Sequence, residues 1–259
     1  MLSLTQSLLA LASGSLVGFS LGLVGGGGSI LAVPLLVYVV GVTNPHVAIG
    51  TSAIAVSVNA AASLLSHARA GHVKWRCALV FAASGIVGAF GGSTLGKMVD
   101  GQKLLTLFAV LMLIVAGLML RKRRGEGNPQ VRLGRENVLK LVGIGMATGA
   151  LSGFFGIGGG FLIVPGLIMA TGMPILNAVG SSLVAVSAFG LTTTSNYALS
   201  GLIDWPLALV FIGGGILGGL VGARAAHGLA SKEGALNSVF ATMIIVVAIY
   251  MLVMSVGFL

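Results

Sequence analysis

The sequence predicts an all-helical membrane protein of eight to ten membrane segments in two homologous halves. Three observations predict it. Of the 259 residues, 56% are hydrophobic and only 7% charged, where a soluble domain carries about 25% charged residues. The apolar residues come in runs near the ~20 that a helix needs to cross the hydrocarbon core. The third observation is an internal repeat.

The apolar runs fall at Leu4 to Val24, Ile30 to Val42, Val47 to Leu65, Cys77 to Leu95 and Leu104 to Leu120. After a basic stretch they resume at Val138 to Phe155, Phe161 to Thr171, Leu176 to Tyr197, Pro206 to Val221 and Leu236 to Val256. This divides the chain into a first repeat at 1–120, a basic cytoplasmic linker at 121–137 and a second repeat at 138–259.

Gly25 to Pro34 lines up with Gly156 to Pro165 at an offset of 131 (165 less 34). After a one-residue deletion near Pro174 the offset becomes 130, pairing Gly50-Thr51-Ser52 with Gly180-Ser181-Ser182, Gly71 with Gly201 and Trp75 with Trp205. Gly85, Gly88 and Gly92 likewise pair with Gly215, Gly218 and Gly222. Duplication accounts for matches spread so widely with a single gap.

Leu4 to Thr43 is 40 residues without a charge, twice the length that one crossing needs. The chain must turn within it, and the run Gly25 to Gly28 is a poor helix former at the right place. Basic residues set the orientation. Arg69, Lys74 and Arg76 share one loop, and Arg121 to Lys140 holds seven basic residues against Glu126 and Glu136. In the second half the bias moves to Arg224 and Lys232, while the loop at Asp204 has no basic residue. The change of side favours inverted-topology repeats with both termini outside.

Composition also excludes functions. The net charge of +9 sits between spans, which topology explains and nucleic-acid binding does not. A single cysteine, Cys77, supplies no disulfide or redox pair. Met1 to Gln6 lacks the basic residue of a cleaved signal peptide, so the first span is expected to be retained. No motif calls for a cofactor or a metal, and no catalytic residue is assigned. Gly50-Thr51-Ser52-Ala53 with His67 resembles a serine protease pair only faintly. On one helix 15 residues separate Ser52 from His67, about 22 Å.

The candidate binding residues lie in two places. Gly26, Gly27, Gly28 and Ser29, with Gly158, Gly159 and Gly160, form Gly-rich turns before short Pro-containing helices. Such broken helices aim free N–H groups at anions, and the two turns are expected to face each other at mid-membrane depth. The second place is the polar helix that follows each turn. Ser52, Asn59, Ser63 and Ser66 share one helical face, and Ser182, Phe189, Thr193 and Asn196 are their counterparts. Thr51 and Ser181 stand beside Ser52 and Ser182. Neutral hydroxyls and amides bind an oxyanion without the cost of burying a charge. The acids Asp100, Glu126, Glu136, Asp204 and Glu233 all lie in loops or span ends, which leaves His67 as the candidate for proton coupling.

The paired motifs Gly25-Gly26-Gly27-Gly28-Ser29 to Val33-Pro34 and Gly158-Gly159-Gly160 to Val164-Pro165, on a duplicated chain of this length, resemble the TauE/SafE family of sulfite exporters. The resemblance covers nearly the whole chain. It implies export of sulfite, sulfoacetate or another small organic sulfur anion across the cell membrane. The partners expected are the anion and the lipid bilayer, with room for a homodimer. An anion channel or a non-transporting scaffold is the alternative. Ser29 stands where the second half has Gly160, and Gly26 where it has Ile157, so the two turns are not strict equivalents.

Overall fold

A computed structural model describes residues 3–120, 134–156, 160–229 and 233–256. All elements among them are helical. The first half holds α1 (Leu4–Val24), a 3-10 helix (Gly25–Leu31), the single turn α2 (Ala32–Pro34), a π helix (Leu35–Val39), α3 (Pro45–Arg69), α4 (Trp75–Met98) and α5 (Gly101–Leu120). The second holds α6 (Arg135–Phe155), α7 (Gly160–Thr171), α8 (Ile175–Ala198), α9 (Trp205–Leu229) and α10 (Glu233–Val256). Nine of the ten apolar runs each became one helix, several extended by a few residues, while Ile30 to Val42 is divided among the 3-10 helix, α2 and the π helix. Most of the basic linker lies outside the described residues.

Among the described residues six helices are long and apolar enough to cross a membrane, and four shorter apolar ones accompany them. Leu79, Val87 and Leu95 on α4, and Leu209, Leu217 and Val221 on α9, point outward and are exposed. Apolar faces of that extent in a helical bundle are lipid-facing. The protein is therefore a multi-pass membrane protein.

Local chemistry sets the ends of the helices. Asn44 accepts from the His46 amide at 2.9 Å ahead of Pro45 at the first turn of α3. Asp100 Oδ1 accepts from the Gln102 and Lys103 amides, and Asp204 Oδ1 from the Leu207 amide. These two acids thus cap α5 and α9. Pro34 has no N–H, and the helix continues past it in π register, with the Val40 amide bonding the Leu35 carbonyl at 3.0 Å. Gly71 and Gly201 take φ of +72° and +68° in matching hairpin loops, a conformation that favours glycine.

The most extensive packing pairs α1 with α9 and α4 with α6. Glycines make both seams. A Cβ on Gly18 would overlap Gly215, and one on Gly218 or Gly222 the carbonyls of Ser15 or Phe19. Along the other seam, Gly88, Gly92 and Gly96 stand against the carbonyls of Met146, Ala150 and Phe154. Residue numbers rise together along each seam, so both pairs run parallel. Small residues permit such close approach between helices in lipid, where apolar burial supplies no drive.

Direction follows from other pairs too. α4 runs parallel to α8, since Phe81 stacks on Phe189 with ring centroids 6.3 Å apart and Lys97 bonds Ser200 farther along. α3 and α4 form a hairpin, so α8 runs against α3. The two cross where Ser57 Oγ donates to the Ser187 carbonyl at 2.7 Å. α5 and α10 pack on each other.

Candidate functional site

The polar residues expected to act on α3 and α8 are spread along both helices, and they divide into three kinds. The first kind ties the helices together. Thr51 Oγ1 accepts from the Asp204 amide at 3.0 Å, and Ser181 Oγ accepts from the Lys74 amide at 2.9 Å. Thr51 and Ser181 match in the sequence alignment, and so do Asp204 and Lys74. Each hydroxyl therefore holds the hairpin loop of the opposite half. Glycine makes the approach feasible, since a Cβ on Gly50 would overlap the Leu202 carbonyl and one on Gly180 would stand 2.8 Å from the His72 carbonyl.

Ser52 and Ser182 are fully buried and bond their own helices. Ser52 Oγ donates to the Ile49 carbonyl at 2.9 Å and Ser182 Oγ to the Val179 carbonyl at 2.7 Å. Ser52 Oγ also reaches the carbonyl of Gly156 at 3.3 Å. Gly156 ends α6 at φ +67°, where a Cβ would overlap the Ile49 side chain. Glycine is required there on both counts.

The second kind is a saturated network. Asn196 Nδ2 donates to Ser93 Oγ at 2.7 Å and Thr94 Oγ1 at 2.9 Å, and its Oδ1 accepts from Lys97 Nζ at 2.7 Å. Lys97 Nζ also donates to the Asn196 carbonyl and to Ser200 Oγ, and stands 5.9 Å from the Tyr197 ring centroid. Sequence reading missed Lys97, a half-buried cation. The available signal was a lone basic residue in the last turn of α4.

The third kind is unsatisfied. Asn59 is 2% exposed, yet neither Nδ2 nor Oδ1 has a hydrogen-bond partner. The amide borders a cavity of about 20 Å³ between α3 and α9, lined also by Ser63, Ser66, Gly215 and Gly219. A Cβ on Gly215 would overlap Asn59 itself. Thr193 Oγ1 and the Tyr197 hydroxyl are buried without partners as well. Tyr197 was not singled out as a site residue from sequence, because an aromatic at a span end has an ordinary interfacial reading.

The first Gly-rich turn is helical. Gly25 to Leu31 form a 3-10 helix that doubles back on α1, so that a Cβ on Gly28 would overlap the Leu21 amide. This helix packs against α7, which begins at Gly160, while Gly158 and Gly159 lie outside the described residues. Ser29 is fully buried. His67 is buried at the end of α3, its ring 5.8 Å from that of His72. Ser52 and His67 sit on the one continuous helix α3, so no nucleophile and base meet there. No group of metal-binding side chains occurs among the described residues.

Comparison with known proteins agrees with this architecture. The chain is 57% identical over 252 residues, 95% of each chain, to a "Probable membrane transporter protein" of Xylella fastidiosa. It is 29% identical over 265 residues to a protein of the same description in Haemophilus influenzae, covering 95% of this chain and 98% of that one. It is 28% identical over 214 residues to "Probable membrane transporter protein YdhB" of Bacillus subtilis, covering 81% and 86%. No solved structure matches it. The family described as "Sulfite exporter TauE/SafE" matches residues 10–251, and with that span the chain belongs to the TauE/SafE family.

Proposed function

We propose that the chain is a secondary transporter that exports a small anion, sulfite or an organic sulfonate such as sulfoacetate, across the cytoplasmic membrane, and is not an enzyme. The observation that carries this reading is the pair of crossing helices α3 and α8, polar within the bundle yet free of acids along their length. Neutral hydroxyl and amide groups suit an anion, and a coupled cation pump needs carboxylates at that depth. Family membership and the relatives' descriptions support transport.

The proposal extends to inverted repeats, which the directions of the packed helices support. α3 and α8 are sequence counterparts and run in opposite directions. α1 runs with α9 and α6 with α4, so α1, α3 and α4 oppose their counterparts α6, α8 and α9, the arrangement expected of inversion. On this topology Arg69 to Arg76, the linker and Arg224 to Lys232 are cytoplasmic, and the loop at Asp204 is external. The candidate substrate region comprises the two Gly-rich turns with the facing positions of α3 and α8.

The driving force follows from the missing carboxylates. A monovalent anion leaving a cell that is negative inside gains about 2.3 kcal/mol per 100 mV. At about 1.4 kcal/mol per tenfold ratio this sustains a gradient of roughly forty-fold without a coupling ion. The test is sulfite flux in proteoliposomes at fixed pH, with the potential set by potassium and valinomycin. Flux should rise with the potential. Flux that ignores it and follows an imposed pH gradient rejects the uniport and turns attention to His67.

A further inference from the structure

Among the described residues Asn59 alone leaves two side-chain polar atoms buried without partners, a donor and an acceptor on one group. Each such atom costs about 1–3 kcal/mol, a penalty that an apolar residue would avoid. The amide borders a cavity of about 20 Å³, near the size of one water. Across the cavity α9 offers Gly215 and Gly219 beside Ile216 and Leu220, and directly opposite the amide it presents the glycine backbone at Gly215, so a small separation of α3 and α9 makes room there. Position 189, the counterpart of Asn59, carries a buried phenyl ring. Among the described residues there is thus one such amide, not two.

We infer that Asn59 recognises a monovalent oxyanion that carries its own hydrogen-bond donor, an inference that rests on the transport reading above and narrows it to hydrogensulfite and hydroxylated sulfonates, away from sulfoacetate, a dianion without a donor. Nδ2 donates to an anionic oxygen, and Oδ1 accepts from a hydroxyl or protonated oxygen of the same ligand. An anion without a donor would leave Oδ1 orphaned. The charge follows from the lining, which includes no Lys, Arg or His. Desolvation cost grows with the square of charge, so a dianion costs roughly four times as much to bring into this site as a monoanion. No basic residue there offsets it.

The test uses the full-length protein and three probes: ethanesulfonate, isethionate, which adds one hydroxyl at the same charge, and sulfate. Calorimetric titration should find isethionate bound about tenfold more tightly than ethanesulfonate, and sulfate not bound. Asn59→Leu should bring the ratio of the two sulfonates to about one. Should that variant not fold, Asn59→Ser serves, keeping one hydroxyl and lowering the ratio in part. Equal binding of the two sulfonates by the wild type, sulfate binding as tight as theirs, or an unchanged ratio in the variants overturns the inference and leaves the transport reading standing. If none of the three binds and sulfite does not move in proteoliposomes, the transport reading falls with it.

Discussion

Asn59 and Phe189 occupy matching places in the two halves, and each faces a matching glycine. A Cβ on Gly215 would overlap the Asn59 amide, and one on Gly85 would overlap the Phe189 ring. The same recess is therefore built twice and filled in opposite ways. On the Phe189 side the ring stacks on Phe81 at 6.3 Å and is fully buried. On the Asn59 side a smaller polar group leaves a cavity and two unpaired atoms. The difference teaches that two matching recesses can be given to different tasks. The ring serves packing, and on the proposal above the amide is kept for binding.

The largest effect is expected from undoing the packed side. Phe189→Asn removes a ring that fills the recess beside Gly85 and installs an amide with no partner, which should cost about 3–5 kcal/mol. Thermal unfolding in detergent measures it. A loss below about 1 kcal/mol would mean that the recess is loosely packed and that the contrast between the halves is not one of packing.

The reciprocal change sharpens the comparison. Phe211, counterpart of Phe81, already lies fully buried on α9, so Asn59→Phe can reproduce on Phe211 the stack that Phe189 makes on Phe81. The variant should fold, at a cost of about 1–3 kcal/mol for the added volume, and should lose transport in proteoliposomes. Retained flux in a folded Asn59→Phe protein would move the site away from Asn59.

Much of this was legible in the sequence, for identifiable reasons. Ten apolar runs became the helical elements because lipid demands continuous internally bonded helices of fixed length. The repeat placed Gly85 and Gly215 in register, and both proved to be where a neighbouring side chain fills the space of a Cβ. Sequence reading did not distinguish the fates of similar polar residues. Thr51, Ser181 and Asn196 were expected to face a ligand, and all three are engaged by loops or by Lys97. Their partners lie roughly a hundred or more residues away, so helical periodicity carries no trace of them. Gly25 to Gly28 suggested an open turn and yielded a 3-10 helix, since glycine's preference for a break is weaker than the gain from pairing backbone groups in a dry interior.

A middling effect is expected at the saturated network. Asn196→Ala strips Lys97 of the Oδ1 acceptor and leaves Ser93 and Thr94 without their amide partner. A hydrogen bond to a charged group contributes about 1.5–3 kcal/mol, and partial exposure of Lys97 puts the loss at the low end. If Asn196 is structural, stability falls and the affinity of the remaining folded protein for isethionate is unchanged. A fall in affinity at unchanged stability would return Asn196 to the binding site.

The smallest effects are expected at the two loop ties, and they are not equal. Thr51→Ala frees the Asp204 amide, and Ser181→Ala frees the Lys74 amide; each should cost roughly 1 kcal/mol. The α3–α4 loop has a second hold, because Asn177 Nδ2 donates to the His72 carbonyl at 3.3 Å. No such side-chain bond to the carbonyl of Leu202, the counterpart of His72, appears among the described residues. Ser181→Ala should therefore loosen its loop less than Thr51→Ala loosens the other. Hydrogen exchange read by mass spectrometry separates the two. Thr51→Ala should speed exchange at 201–204 and leave 71–74 unchanged, and Ser181→Ala should do the reverse more weakly. On the proposed inverted topology these loops lie on opposite sides of the membrane, so the ties hold the two faces closed independently. If both loops loosen together in either variant, the halves move as one body, and a carrier that opens one face at a time would need its hinge elsewhere.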